Sequence, residues 1–76
     1  MANRNEIGTR DALARGERCL AGASGRPDIV AAHRWFNVAA IRGCDRGAAR
    51  RRSVAASMTK SELVAALRGA RESLTA

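Results

Sequence analysis

The two aromatic side chains of this chain are adjacent, and their setting restricts the fold more than any other feature. Trp35 and Phe36 are the only tryptophan and phenylalanine among 76 residues, and the chain has no tyrosine. In the stretch DIVAAHRWFNVAAIRG, apolar residues recur at the i, i+3, i+4, i+7 and i+8 spacing of a buried helix face. We therefore predict a small helical core around this pair. The face consists of Ala32, Trp35, Phe36, Ala39 and Ala40.

Periodicity and helix-end signals predict an all-α chain of about four helices. The first runs from about Thr9 and ends at Gly22, and the aromatic helix follows Asp28 and ends at Gly43. Residues 1–8 are expected to be frayed, and a third helix begins near Asp45. The fourth follows the capping-box pair Thr59 and Glu62. Its predicted inner stripe is Leu63, Leu67, Ala70 and Leu74.

An internal repeat relates the two halves of the chain. DIVAAHR, beginning at Asp28, matches ELVAALR, beginning at Glu62, and the same spacing pairs Asp11 with Asp45. We call this spacing, from Asp28 to Glu62, the repeat offset. Repeats of this length are typical of helical solenoids, in which each helix pair buries its apolar face against the next. We therefore predict one small domain over residues 1–76, built as two stacked helical hairpins.

Glycines, an aspartate, alanines and the two aromatics recur in a fixed order in the first half: Gly16, Gly22, Gly25, Asp28, Ala32, Trp35, Phe36, Ala39, Ala40 and Gly43. In this order the first half resembles the Sel1-like repeats, a family related to the tetratricopeptide repeats. The resemblance covers residues 16–43. The chain departs from the family at Cys19, where an aromatic is usual, at Arg15, where Leu is usual, and throughout the second half. It implies a complete hairpin over residues 9–43 and a degenerate capping hairpin over residues 45–75. It also implies a role in protein–protein interaction, with the first helix of each pair on the concave side. The predicted structural residues are Gly16, Gly22, Ala32, Trp35, Phe36, Ala39, Ala40 and Gly43.

A cluster of arginines is the candidate binding surface. Fourteen Lys and Arg oppose seven Asp and Glu, which gives a net charge of +7 and favours acidic partners. The cluster could be a solvated face, a site for an acidic protein segment, or a site for nucleic acid. Because arginines four residues apart repel each other on a helix, we expect an anion close to Arg46 and Arg50. The candidate partner-binding residues are Arg42, Arg46, Arg50, Arg51 and Arg52.

No constellation of catalytic or metal-binding residues is recognisable. His33 is the only histidine and is predicted, with Arg34 and Asn37, on the solvent side of its helix, without a partner spaced for a catalytic dyad. Cys19 and Cys44 have no CxxC or histidine-rich setting, so zinc is not expected. We predict a protein that is not an enzyme and has no cofactor. A basic nucleic-acid or transcription-complex binder is the alternative to an adaptor.

The sequence also predicts where the chain acts. No apolar run approaches the roughly 20 residues needed to cross a bilayer, and the stretch MANRNEIGTR lacks the apolar core of a secretory signal. A cytoplasmic location without membrane insertion is therefore expected, with both cysteines reduced. The partner and the oligomeric state are left open.

Overall fold

The computed structural model describes residues 4–23 and 25–75, and the side chains of residues 8–23 and 25–74. Within these residues the chain forms four α-helices and no strand, which confirms the all-α prediction. They are α1 (Arg4–Ala21), α2 (Ile29–Ile41), α3 (Asp45–Ala55) and α4 (Lys60–Thr75). Helix α1 begins before the expected position near Thr9, so residues 4–8 are helical. The rest of the segment expected to be frayed, residues 1–3, lies outside the described residues.

Local side-chain hydrogen bonds begin α2 and α4 where the sequence predicts. The Asp28 carboxylate accepts a hydrogen bond of 3.0 Å from the Ala31 N–H. At α4, the Thr59 hydroxyl accepts from the Glu62 N–H at 3.1 Å, and the Glu62 carboxylate accepts from the Thr59 N–H at 2.8 Å. This reciprocal pair is the predicted capping box, and it satisfies backbone donors that a helix start leaves unpaired.

Glycines in the left-handed region end the first two helices. Gly22 has a φ of +78° and Gly43 a φ of +96°, a conformation that residues with a Cβ adopt only with strain. After Gly22, the Asp28 N–H donates a hydrogen bond of 2.9 Å to the Cys19 carbonyl, which ties the loop back to the end of α1. The chain therefore reverses direction between α1 and α2, as the hairpin prediction requires.

Helix α2 is the centre of the molecule, because α1, α3 and α4 all pack extensively against it. Phe36, which is 0% exposed, lies in a buried cluster with Ala32 and Val54. A second cluster joins α1, α2 and α4 and consists of Ala12, Val38, Ala39 and Ala70. Trp35 is only partly buried and packs against this second cluster. The two aromatics thus contribute unequally, with Phe36 enclosed and Trp35 at the border of the core.

Two glycines allow the helices flanking α2 to approach it closely. A Cβ at Gly16 of α1 would lie 2.5 Å from the Phe36 ring. A Cβ at Gly47 of α3 would lie 2.8 Å from the Ala39 Cβ and 3.1 Å from the Ala40 nitrogen. Gly16 therefore lies where α1 packs closely against the Phe36 ring, and Gly47 has a corresponding position between α3 and α2 that was not predicted.

The repeat offset also relates the helix boundaries. The last residues of α1 and α2, Ala21 and Ile41, correspond at this offset to the last residues of α3 and α4, Ala55 and Thr75. The first residues of the helices do not correspond, since α1 begins at Arg4 and α4 at Lys60. The two helix pairs therefore correspond at their carboxyl-terminal ends, and residues at this offset can be compared on that basis.

The predicted exposure of side chains is wrong at three positions on α2 and α4. His33 and Asn37 are 2% and 6% exposed, although the pattern of α2 predicts both on its solvent side. They are buried because α2 is surrounded on several sides, whereas the prediction assumes one buried face. On α4, Leu67 is 46% exposed instead of lying on the inner stripe, while Ala66 is fully buried.

Candidate partner-binding surface

The anion expected beside the arginine cluster is a carboxylate of the chain itself. Arg50 on α3 donates from Nε to Oε1 of Glu17 on α1 at 2.6 Å, and its terminal nitrogen pairs with the second carboxylate oxygen. The hydrogen bond from Arg50 holds the pKa of Glu17 below its ordinary value. The Arg50 guanidinium also lies 5.8 Å from the centre of the Phe36 ring. Arg50 therefore links α3 to α1 at the partly exposed edge of the core.

Arg51 is likewise engaged within the molecule. Its guanidinium donates a hydrogen bond of 2.6 Å to the side-chain oxygen of Asn37 on α2. Burial lowers the pKa of His33, and the positive charge of Arg51 lowers it further. The Nδ1 atom of His33 is buried without a hydrogen-bond partner. Of the two buried polar side chains of α2, Asn37 thus has a partner on α3, whereas His33 Nδ1 has none.

The other three members of the predicted cluster face solvent. Arg42, Arg46 and Arg52 are exposed, and none of them forms an ion pair with another residue in the described part of the chain. We call these three residues the basic rim. Of the five predicted binding residues, the structure thus leaves three accessible on the outside, while Arg50 and Arg51 hold the helices together.

A second basic feature surrounds Trp35. The guanidinium carbons of Arg15 and Arg34 lie 5.0 Å and 4.8 Å from the Trp35 ring centre, within the range of a cation–π interaction. Arg15 also pairs with Asp11 at 2.9 Å. Trp35, Arg15 and Arg18 line a shallow groove together with Cys19 and Ala23. The indole is therefore held between cations of its own chain.

An open cleft at the start of α2 contains two carboxylates, but both already cap helices. Asp28 accepts from the backbone of α2, and Glu62 accepts from the backbone at the start of α4. Cys19 also lines this cleft, whereas the Cys44 sulfur accepts a hydrogen bond of 3.3 Å from the Gly47 N–H and caps α3. Both carboxylates that line the cleft therefore accept hydrogen bonds at the start of a helix. Both cysteines are free thiols.

Metal sites and membrane-crossing helices are both missing from the described part of the chain. In residues 4–23 and 25–75, no three side chains of the His, Cys, Asp or Glu type are grouped to hold a metal ion. Over the same ranges, no helix is both long and apolar enough to cross a membrane.

The comparisons with known proteins do not assign a family. No family model, curated protein or solved structure matches this chain. Any inference about function therefore rests on the residues and their geometry.

Proposed function

We propose that this chain is a small protein–protein interaction module of Sel1-like type that binds an acidic segment of a partner protein. The observation that carries this proposal is the basic rim, in which Arg42, Arg46 and Arg52 are exposed without an ion pair in the described part of the chain. The net charge of +7 adds a long-range attraction for acidic partners.

The chemistry of the rim suits carboxylates. Arginine presents a planar fork of donors that binds a carboxylate through two parallel hydrogen bonds, as Arg50 does with Glu17 in this molecule. Arg46 and Arg52 lie on a helix that is held in place by Arg50 and by the close approach at Gly47. Their backbone positions are thus set before a partner binds, which lowers the entropic cost of binding.

A non-catalytic role in the cytoplasm completes the proposal. The two cleft carboxylates cap helices, and His33 is buried, so these residues are poorly placed for acid–base chemistry on a bound substrate. A reducing compartment would keep Cys19 and Cys44 as thiols. The correspondence of the two helix pairs at the repeat offset supports the repeat interpretation, in which the second pair caps the first.

The test compares an acidic peptide with nucleic acid on two charge-matched variants. Fluorescence anisotropy would measure binding of a labelled glutamate-rich peptide and of a labelled DNA duplex to the wild-type protein across a range of salt concentrations. The rim variant combines Arg46→Glu with Arg52→Glu. The control combines Arg18→Glu with Arg26→Glu, two other exposed arginines, so that both variants change the net charge equally.

The outcomes separate the two classes of partner. The proposal is supported if the peptide binds saturably and the rim variant weakens this binding about tenfold more than the control does. A tenfold difference in affinity corresponds to roughly 1.4 kcal/mol. Equal losses in both variants mean that only net charge matters. Tighter binding of the duplex, with sequence preference and a steep salt dependence, would favour nucleic-acid binding instead.

A further inference from the structure

The outward side of α4 combines apolar and cationic side chains. Val64 and Leu67 are 49% and 46% exposed, and they are two of the three large hydrophobic residues exposed in the described part of the chain. They lie one helical turn apart, and cations precede and follow them on the same side. We call this set the α4 stripe. It consists of Lys60, Val64, Leu67, Arg68 and Arg71, all of which are exposed.

The same side of α2 is covered by other helices. At the repeat offset, Leu67 corresponds to His33, Arg68 to Arg34 and Arg71 to Asn37. His33 is buried, and Asn37 accepts a hydrogen bond from Arg51 of α3. The side chain of Arg34 lies against Gly69 of α4, where a Cβ would be 2.5 Å from the Arg34 Cδ. Helices α3 and α4 thus cover on α2 the side that α4 leaves exposed.

This correspondence indicates what kind of structure fits the stripe. On α2 the covering elements are helices, so a helix is the element whose shape matches the equivalent side of α4. Because Leu67 stands where α2 has a histidine, and Arg71 where it has an asparagine, the exposed side is more apolar and more cationic than its buried counterpart. A helix that packs there needs apolar side chains for Val64 and Leu67 and carboxylates for Arg68 and its neighbours.

Charge selects between a second copy of this chain and a different protein. Each copy has a net charge of +7, and the stripe itself has three cations, so two copies repel each other at this surface. An acidic helix is attracted to the same residues. Its leucine-like side chains would also remove Val64 and Leu67 from water, which a flexible acidic tail does less well.

From these observations we infer that the α4 stripe binds an amphipathic acidic helix of a partner protein, packed along α4. The inference rests on the proposed function, because it names the surface that would recognise one class of acidic partner. It also adds a requirement that the basic rim does not make, namely that the acidic segment be helical with one apolar side.

The experiment uses two synthetic peptides of identical composition. In the first, leucines recur at i, i+3, i+4 and i+7 on a glutamate-rich helix, and in the second the same residues are scrambled so that the leucines share no side. Binding to the full chain would be measured by fluorescence anisotropy. The apolar variant is Leu67→Ser and its control is Ile41→Ser, since Ile41 is 58% exposed outside the stripe. The charge variant is Arg68→Glu and its control is Arg18→Glu.

We expect the amphipathic peptide to bind at least about tenfold more tightly than the scrambled peptide. Leu67→Ser and Arg68→Glu should each weaken binding severalfold, while Ile41→Ser and Arg18→Glu should leave it within about twofold. Circular dichroism of each variant would show that its helix content is retained. Equal binding of both peptides would overturn the inference. So would a dimer of the wild-type chain that Leu67→Ser dissociates, since the occupant would then be a second copy.

The results also distinguish failure of the inference from failure of the proposed function. If both peptides bind and only the Arg46→Glu, Arg52→Glu variant loses them, the basic rim is the site and the α4 stripe is not. If neither peptide binds while duplex DNA does, both proposals fail together.

Discussion

Replacing Gly16 by alanine tests whether the core is held by the contact between α1 and the Phe36 ring. The new Cβ would lie 2.5 Å and 2.6 Å from two ring carbons. The ring must therefore retreat by roughly 1 Å to reach an ordinary carbon–carbon distance. Phe36 is fully buried, so the movement displaces other core residues. Overpacking of this kind costs about 1–3 kcal/mol, and alanine regains about 1 kcal/mol as a better helix former.

Because α1 and α3 enclose the ring from two sides, we expect a cost near the upper limit and a net loss of about 1–2 kcal/mol for Gly16→Ala. The matched control is Gly69→Ala. A Cβ at Gly69 would also meet a neighbour at 2.5 Å, but this neighbour is the Cδ atom of Arg34. The Nε atom of Arg34 has no hydrogen-bond partner to lose. The Arg34 side chain is flexible and can move, at the cost of part of its contact with the Trp35 ring. Gly69→Ala should therefore be neutral or stabilising by less than about 1 kcal/mol.

Urea unfolding followed by circular dichroism would measure both variants, and a thermal scan should show a shift of about 4–8 °C per kcal/mol. The combination of Gly16→Ala with Phe36→Leu should lose less stability than the sum of the two single changes, since the smaller side chain removes the clash. Equal effects of alanine at Gly16 and Gly69, or strictly additive losses in the double variant, would refute the assignment of Phe36 as the fixed centre of the core.

Three further outcomes are expected. Phe36→Ala should lower the free energy of unfolding, measured with urea, by about 3–5 kcal/mol. Trp35→Ala should lower it clearly less, since Trp35 is only partly buried. Similar losses of stability in the two variants would contradict this order. Folding lowers the pKa of His33, so the folded protein holds this side chain neutral. The stability of the protein should therefore decline as the pH falls below the pKa of an unfolded histidine, about 6.5. His33→Leu should flatten that part of the pH–stability curve. A double-mutant cycle with Glu17→Gln and Arg50→Gln should show a favourable coupling that salt weakens.

The helix ends could be predicted because their determinants are local. Asp28 accepts a hydrogen bond from a backbone group three residues away, and so does the Thr59 hydroxyl in its exchange with Glu62. Glycines with positive φ end the first two helices directly at Gly22 and Gly43. Such features depend on residues within one turn, so a single sequence contains all the information needed to identify them.

The environment of α2 and of the arginines could not be predicted in the same way. Glu17 and Arg50 are far apart in the sequence. Their pairing depends on how α1 and α3 both pack against the Phe36 side chain. His33 and Asn37 fit a solvent-facing pattern when α2 is considered with one partner only. They become buried because further helices cover α2. A glycine at position 47, within an arginine-rich helix, was the one local signal of this second contact.

The two helix pairs differ at the positions that surround Phe36. Gly16 and Arg50 are related by the repeat offset. Gly16 lies against the Phe36 ring because it has no side chain, and Arg50 places its guanidinium 5.8 Å from the ring centre. The counterpart of Phe36 in the second half is Ala70, which is only 1% exposed. An aromatic side chain there would have to displace neighbouring residues, whereas Arg50 reaches back to Glu17 and binds the halves together. Through Arg50, the second half therefore supplies a side chain to the surroundings of the Phe36 ring in the first.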